Sequence, residues 1–131
     1  MKPKTLIIYE DKVSDLAKAA EDLNRLAEGA GVSVRVRTAS SVTVAEVLAA
    51  DLLLIGAKTQ EASSYSELRR LFRGINLAGR RAAFFRPRET AGVESMKRSM
   101  NDTDITFYVP DLDINSSSEA PAAWIKAVMD L

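Results

Sequence analysis

Ala50-Asp51-Leu52-Leu53-Leu54-Ile55-Gly56-Ala57-Lys58-Thr59, near the middle of the chain, decides the fold. Four consecutive aliphatic residues without polar alternation suit a strand covered on both faces, the state of a central strand in a parallel sheet. The run is too short to cross a bilayer, and Gly56 ends it where the chain can turn. Helical patterns flank it on both sides. In an open α/β sheet, the loop after such a strand, residues 58–65, falls where ligands bind.

Toward the N-terminus, Thr43 to Ala49 predicts a short helix with Val44, Val47 and Leu48 facing inward. Before it, Val32, Val34 and Val36 alternate with Ser33, Arg35 and Arg37, the pattern of an edge strand with one wet side. From Asp15 to Glu28, the residues Leu16, Ala19, Ala20, Leu23, Leu26 and Ala27 fall three and four apart. That spacing predicts an amphipathic helix, capped by Ser14 and closed by Gly29 or Gly31. Thr5-Leu6-Ile7-Ile8-Tyr9 is the first strand.

Toward the C-terminus, Ser66 to Gly74 places Leu68, Leu71 and Phe72 on one helix face and Arg69, Arg70 and Arg73 on the other, a solvated surface. Arg81 to Phe85 is the fourth strand. Gly92 to Met100 is a helix with Val93, Met96 and Met100 inward. Ile105 to Val109 is the fifth strand, stopped by Pro110 and followed by a polar segment, 111–118, with Leu112 and Ile114 tucked beneath it. Pro121 opens a last helix to Leu131, with Trp124, Val128 and Leu131 on one face. Five strands alternating with five helices predict one three-layer αβα domain over residues 1–131.

Composition limits the chemistry. Hydrophobic residues at 47% and charged residues at 27% belong to a globular chain, not a disordered one. Lys plus Arg and Asp plus Glu each total 18, without the basic excess of a nucleic-acid-binding domain. The absence of Cys and His removes disulfides, thiolate nucleophiles, the common triads and the commonest metal ligands. No catalytic constellation is recognisable and no metal site is expected. Met1-Lys2-Pro3-Lys4 runs straight into the first strand, so the expectation is a cytoplasmic protein without a signal peptide or membrane partner.

With these elements in place, the chain resembles the flavodoxin-like fold, and more narrowly a short-chain flavodoxin. Residues 52–59 are similar to that family's central strand and its Gly-Ser-Pro-Thr-like turn. Leu68 to Phe85 follows the family's order of helix, Leu77-Ala78-Gly79-Arg80 turn and strand ending in two Phe, and the polar segment before Trp124 matches its tail. The resemblance implies strand order 2-1-3-4-5, with a crevice for flavin mononucleotide (FMN) at the carboxyl ends of strands 1, 3 and 4.

The loops depart from the family pattern. Its phosphate loop is rich in Ser, Thr, Gly and Asn, where hydroxyls and backbone N–H groups meet a dianion. Here the stretch is Glu10-Asp11-Lys12-Val13-Ser14-Asp15, with one hydroxyl and no Gly. Glu10, Asp11 and Asp15 disfavour a phosphate there, by about 1–4 kcal/mol per close pair, and Lys12 offsets one of them. Thr59 matches the family's Thr, but Gln60 replaces the aromatic residue that stacks on flavin; Tyr65 is a distant substitute or a helix anchor. Residues 86–92 lack aromatic character. If FMN or another anion binds, the residues to hold it are Lys12, Ser14, Thr59 and Gln60.

Glu10-Asp11 also resembles the acidic pair of receiver domains. However, Gly56 stands in place of the phosphoacceptor Asp, Arg86 replaces the Ser or Thr, and no Lys closes the fifth strand, which leaves only a pseudo-receiver. As an acid/base pair, Glu10 and Asp11 leave a strand in different directions, so they read instead as a solvated turn. Lys58, Arg86 and Arg88 form an edge for a protein partner or small anionic ligand. The resulting expectation is a flavodoxin-like domain that has lost FMN and acts as a binding module. The alternatives are an FMN-dependent electron carrier with atypical loops and, behind it, a pseudo-receiver signalling domain.

Overall fold

The computed structural model describes residues 2–60, 62–88 and 90–130. Its strands are β1 (Thr5–Tyr9), β2 (Val34–Thr38), β3 (Leu52–Gly56), β4 (Arg81–Arg86), β5 (Thr106–Phe107) and β6 (Leu112–Asp113). Its α-helices are α1 (Ser14–Gly29), α2 (Val44–Ala49), α3 (Ser66–Phe72), α4 (Gly92–Ser99) and α5 (Ala120–Met129). The strands are parallel in the order β2-β1-β3-β4-β5, with β6 also pairing β4. The expected 2-1-3-4-5 α/β sheet is therefore present.

The opening stretch is the axis of the molecule. Leu52 to Ile55 are all fully buried, and successive residues face opposite layers, as strand periodicity requires. Leu53 and Ile55 join Leu6, Ile8 and Phe84 under α2, α3 and α4, while Leu52 and Leu54 join Ile7, Ala83 and Phe85 under α1 and α5. Each such side chain contributes about 1.5–3 kcal/mol by leaving water.

Several expectations need correction. Ser14 is the first helical residue of α1, and Val13 is the cap, without a side-chain cap bond. Lys12, at φ 63°, turns the chain so that Val13 is extended before the helix starts. The turn that closes α1 uses Gly31, at φ +79°, which a residue with a Cβ rarely adopts. Val32 belongs to that turn, donating to Ala27 O at 3.0 Å, so β2 begins at Val34.

In α2 only Val47 is buried; Val44 and Leu48 are 45% and 41% exposed, not inward. A helix of under two turns at the sheet margin meets the core along one line. Val44 and Leu48 lie about 60° and 100° round the axis from it.

The fifth strand is split. β5 covers two residues, Pro110 has no N–H to continue the ladder, and the chain rejoins β4 at Leu112. Leu112 is buried as expected, and Ile114 packs against the same layer. Trp124 is 7% exposed, and its Nε1–H donates to Pro110 O at 3.0 Å, tying α5 to the turn between β5 and β6. Leu131 lies outside the described residues.

Candidate functional site

The carboxyl ends of β1 and β3 meet at Glu10. Its N–H donates to Gly56 O at 3.1 Å, extending the β1–β3 ladder by one residue. Its side chain then crosses to the loop after β3. Oε1 accepts from the N–H groups of Lys58 and Thr59, both at 2.9 Å, and Oε2 accepts from the Thr59 hydroxyl at 2.7 Å. Glu10 is only 5% exposed, so the expected solvated turn is wrong for this residue. A buried carboxylate persists where donors satisfy it, and here three do.

Asp11 points elsewhere. Oδ1 accepts from Ser40 N–H at 3.0 Å and Oδ2 from the Ser40 hydroxyl, which joins the β1–α1 loop to the end of β2. The two carboxylates thus diverge, and they do not converge on one cation. Among the described residues, no group of three or more acidic side chains could hold a metal ion. The Asp11 N–H reaches Ser64 Oγ at 3.4 Å. Glu10, Asp11, Lys12, Thr59, Ser63 and Ser64 line an open polar cavity of about 360 Å³. The side chains of Lys12, Ser14, Asp15 and Gln60 lie at the surface.

Tyr65 lies below this cavity. It is 1% exposed, and its hydroxyl faces Gly56 O at 2.8 Å and Ile8 O at 3.3 Å. Burial, reinforced by the charges of Glu10 and Asp11, pushes its phenol well above the usual range. Tyr65 therefore anchors the sheet ends as a neutral phenol, and its ring is not open for stacking.

The third loop is drawn against the second. Gly92 N–H donates to Lys58 O at 3.2 Å. A Cβ on Gly92 would lie 2.7 Å and 2.8 Å from backbone atoms of Lys58, so only glycine permits this approach. Lys58 thus has its N–H on Glu10 and its carbonyl on Gly92, while its side chain is exposed. The cations expected with it are engaged by carboxylates. Arg86 Nε lies 3.5 Å from Asp111, which also faces Lys97 at 3.3 Å, and Arg88 Nε lies 2.9 Å from Asp113. The Arg88 hydrogen bond, aided by Asn115 N–H, holds the Asp113 carboxyl below the usual range.

Sequence reasoning found the loops and missed two roles in them, the Glu10 bridge and the Gly92 contact. A carboxylate directly after a strand was the only available signal for the first.

No family model and no curated protein matches the chain. Solved structures do match in fold. Oxidised flavodoxin 2 from Bacillus cereus aligns with 17% identity, covering 97% of this chain and 98% of its own, at TM-score 0.78. A Fusobacterium nucleatum flavodoxin bound to flavin mononucleotide aligns with 11% identity, covering 99% and 98%, at TM-score 0.78. A short-chain flavodoxin associated with a PDU bacterial microcompartment aligns with 14% identity, covering 97% of each chain, at TM-score 0.77. Strand order and these alignments agree: the chain has a flavodoxin-like fold.

Proposed function

We propose that this chain is a cytoplasmic flavodoxin-like domain that does not hold FMN and works as a binding module. The observation that carries the reading is Glu10. An anion entering the crevice would look for the N–H groups of Lys58 and Thr59 and the Thr59 hydroxyl, and the Glu10 carboxylate already engages all three. A phosphate beside Glu10 and Asp11 would also meet like charge without the dense hydroxyl and N–H cradle that a buried dianion needs. The buried ring of Tyr65 and the exposed amide of Gln60 supply no stacking face. Lys58 and Arg88 have exposed side chains, and Arg86 is half-buried. A partner's carboxylate or phosphate would share the arginines with Asp111 and Asp113, so recognition at this edge rests most on Lys58.

The test is the visible spectrum of the purified protein, followed by FMN titration. The expected result is a colourless protein with no saturable binding up to about 100 μM, weaker than roughly −5.5 kcal/mol. Flavin absorption bands, or a micromolar Kd, would overturn the reading in favour of an electron carrier. Replacing Glu10 and Asp11 together with Ser is expected to raise FMN affinity. An unchanged titration would show that these carboxylates are not what keeps flavin out.

A further inference from the structure

Of the three large hydrophobic residues exposed among the described residues, two, Val44 and Leu48, lie one turn apart on α2. Five of the six residues of α2 are apolar, and only Val47 reaches the core; Ala45 and Ala49 are also exposed. A helix without a polar face is normally covered, and an exposed apolar cluster marks an interaction surface. Grooves run along both sides of it. One, of about 300 Å³, is lined by Lys4, Leu6, Arg35, Ala45 and Ala49. The other, of about 280 Å³, is lined by Val42, Val44, Leu68, Arg70 and Leu71.

The rim is basic. Arg35 and Arg70 side chains are 69% and 78% exposed, and Arg80 caps the helix end by donating to Leu48 O at 2.9 Å. Glu46 and Glu67 line the same grooves and are paired, Glu46 with Arg37 at 2.7 Å and Arg35 at 3.8 Å and Glu67 with Arg70 at 3.6 Å, so a partner's carboxylates would share Arg35 and Arg70 with them. A second copy packed face to face would oppose these arginines with themselves. Strand addition at β2 is blunted by Arg35 and Arg37 on the sheet margin.

We infer that α2 and its two grooves form a docking surface for an acidic amphipathic segment of another protein. The segment's aliphatic side chains would cover Val44 and Leu48, and its carboxylates would meet Arg35, Arg70 and Arg80. The surface lies along the sheet's margin, and its second groove reaches Ser40, which donates to Asp11 at the edge of the Glu10 crevice. The inference takes from the proposed function only that the domain works by binding.

The probe is a labelled synthetic helix of about 15 residues, with Leu at i, i+4 and i+7 and Glu elsewhere, and a Lys version as control. Binding is read by anisotropy and by amide chemical-shift mapping of the full chain. The Glu peptide is expected to bind and shift residues 35–37, 42–50 and 67–71. Val44→Ser with Leu48→Ser should weaken it about tenfold or more. Arg35→Glu with Arg70→Glu should do the same without touching the apolar patch, which keeps the test valid if the first variant misfolds. Adding FMN in parallel separates the two readings, because flavin binding would sink the proposed function while leaving the α2 shifts in place. The inference is overturned if no shifts appear up to about 1 mM, if they map elsewhere, or if the Lys peptide binds equally. Sedimentation showing a dimer that Leu48→Glu dissolves would overturn it in favour of self-association.

Discussion

Replacing Glu10 with Ala would leave the N–H groups of Lys58 and Thr59 and the Thr59 hydroxyl without their shared acceptor. Hydrogen bonds to a charged group are worth about 1.5–3 kcal/mol each in net stability. Lys58 and Thr59 have exposed side chains, so water reaches part of what the carboxylate vacates, and the three losses do not simply add. The expected cost is about 3–5 kcal/mol, the range for breaking a buried charged network. Glu10→Gln keeps an amide oxygen for both N–H groups and loses the charge, for an expected cost of about 1–2 kcal/mol. Urea denaturation of the three proteins measures this, provided the slope with denaturant stays constant. Hydrogen exchange adds a local readout, with the Lys58 and Thr59 amides expected to lose protection in Glu10→Ala before the β3 core does. A loss below 1 kcal/mol for Glu10→Ala, or equal losses for both variants, would refute the bridge as a structural element.

Other outcomes follow from the same geometry. Trp124→Ala should cost about 3–5 kcal/mol, since it removes a buried indole and the bond to Pro110 O; less than about 1 kcal/mol would mean that α5 is not docked as described. Gly92→Ala should cost about 1–3 kcal/mol, because the atoms it meets are backbone and cannot step aside; an unchanged melting temperature would refute the close approach. Two groups tie stability to pH. Tyr65 has a raised phenol, so its contribution is complete below about 10 and is lost as pH rises toward the raised value; Tyr65→Phe should flatten that alkaline limb. Glu46 is raised by burial but more than compensated by Thr43 and Arg37, leaving it below its usual value. Its contribution is complete above about 4.5 and fades as pH falls through the lowered value, and Glu46→Gln should shrink the acid limb of a urea-midpoint profile.

The fold was legible because its signals are local and repeated. Leu52 to Ile55 could only be a doubly covered strand, and the 3–4 spacing from Leu16 to Ala27 could only be one helix face. Where the reading failed, the deciding contact lay outside the pattern. The i, i+3, i+4 spacing of Val44, Val47 and Leu48 gives one face, but not how much of that face the sheet margin covers. Ser14 suited a cap by type, yet the left-handed turn at Lys12 moved the helix start. The site was harder still. Glu10 and Asp11 are adjacent in sequence but are fixed by residues nearly 50 and 30 positions away, on different loops. A polar pair after a strand looks the same whether it faces water or is buried against another loop's N–H groups.

The Glu10 bridge also determines what the crevice loops depend on. A loop organised by a diffusible ligand is only as ordered as the ligand is abundant, because the gain scales as RT ln(1 + [L]/Kd). Here the organising anion is carried on the chain itself, so its effective concentration at the Lys58 and Thr59 donors is fixed by connectivity and does not vary with supply. The loop after β3 should therefore keep one conformation whatever the concentrations of small anions around it. It would present a constant edge to a partner, where a cofactor-built loop would report whether the cofactor had been loaded.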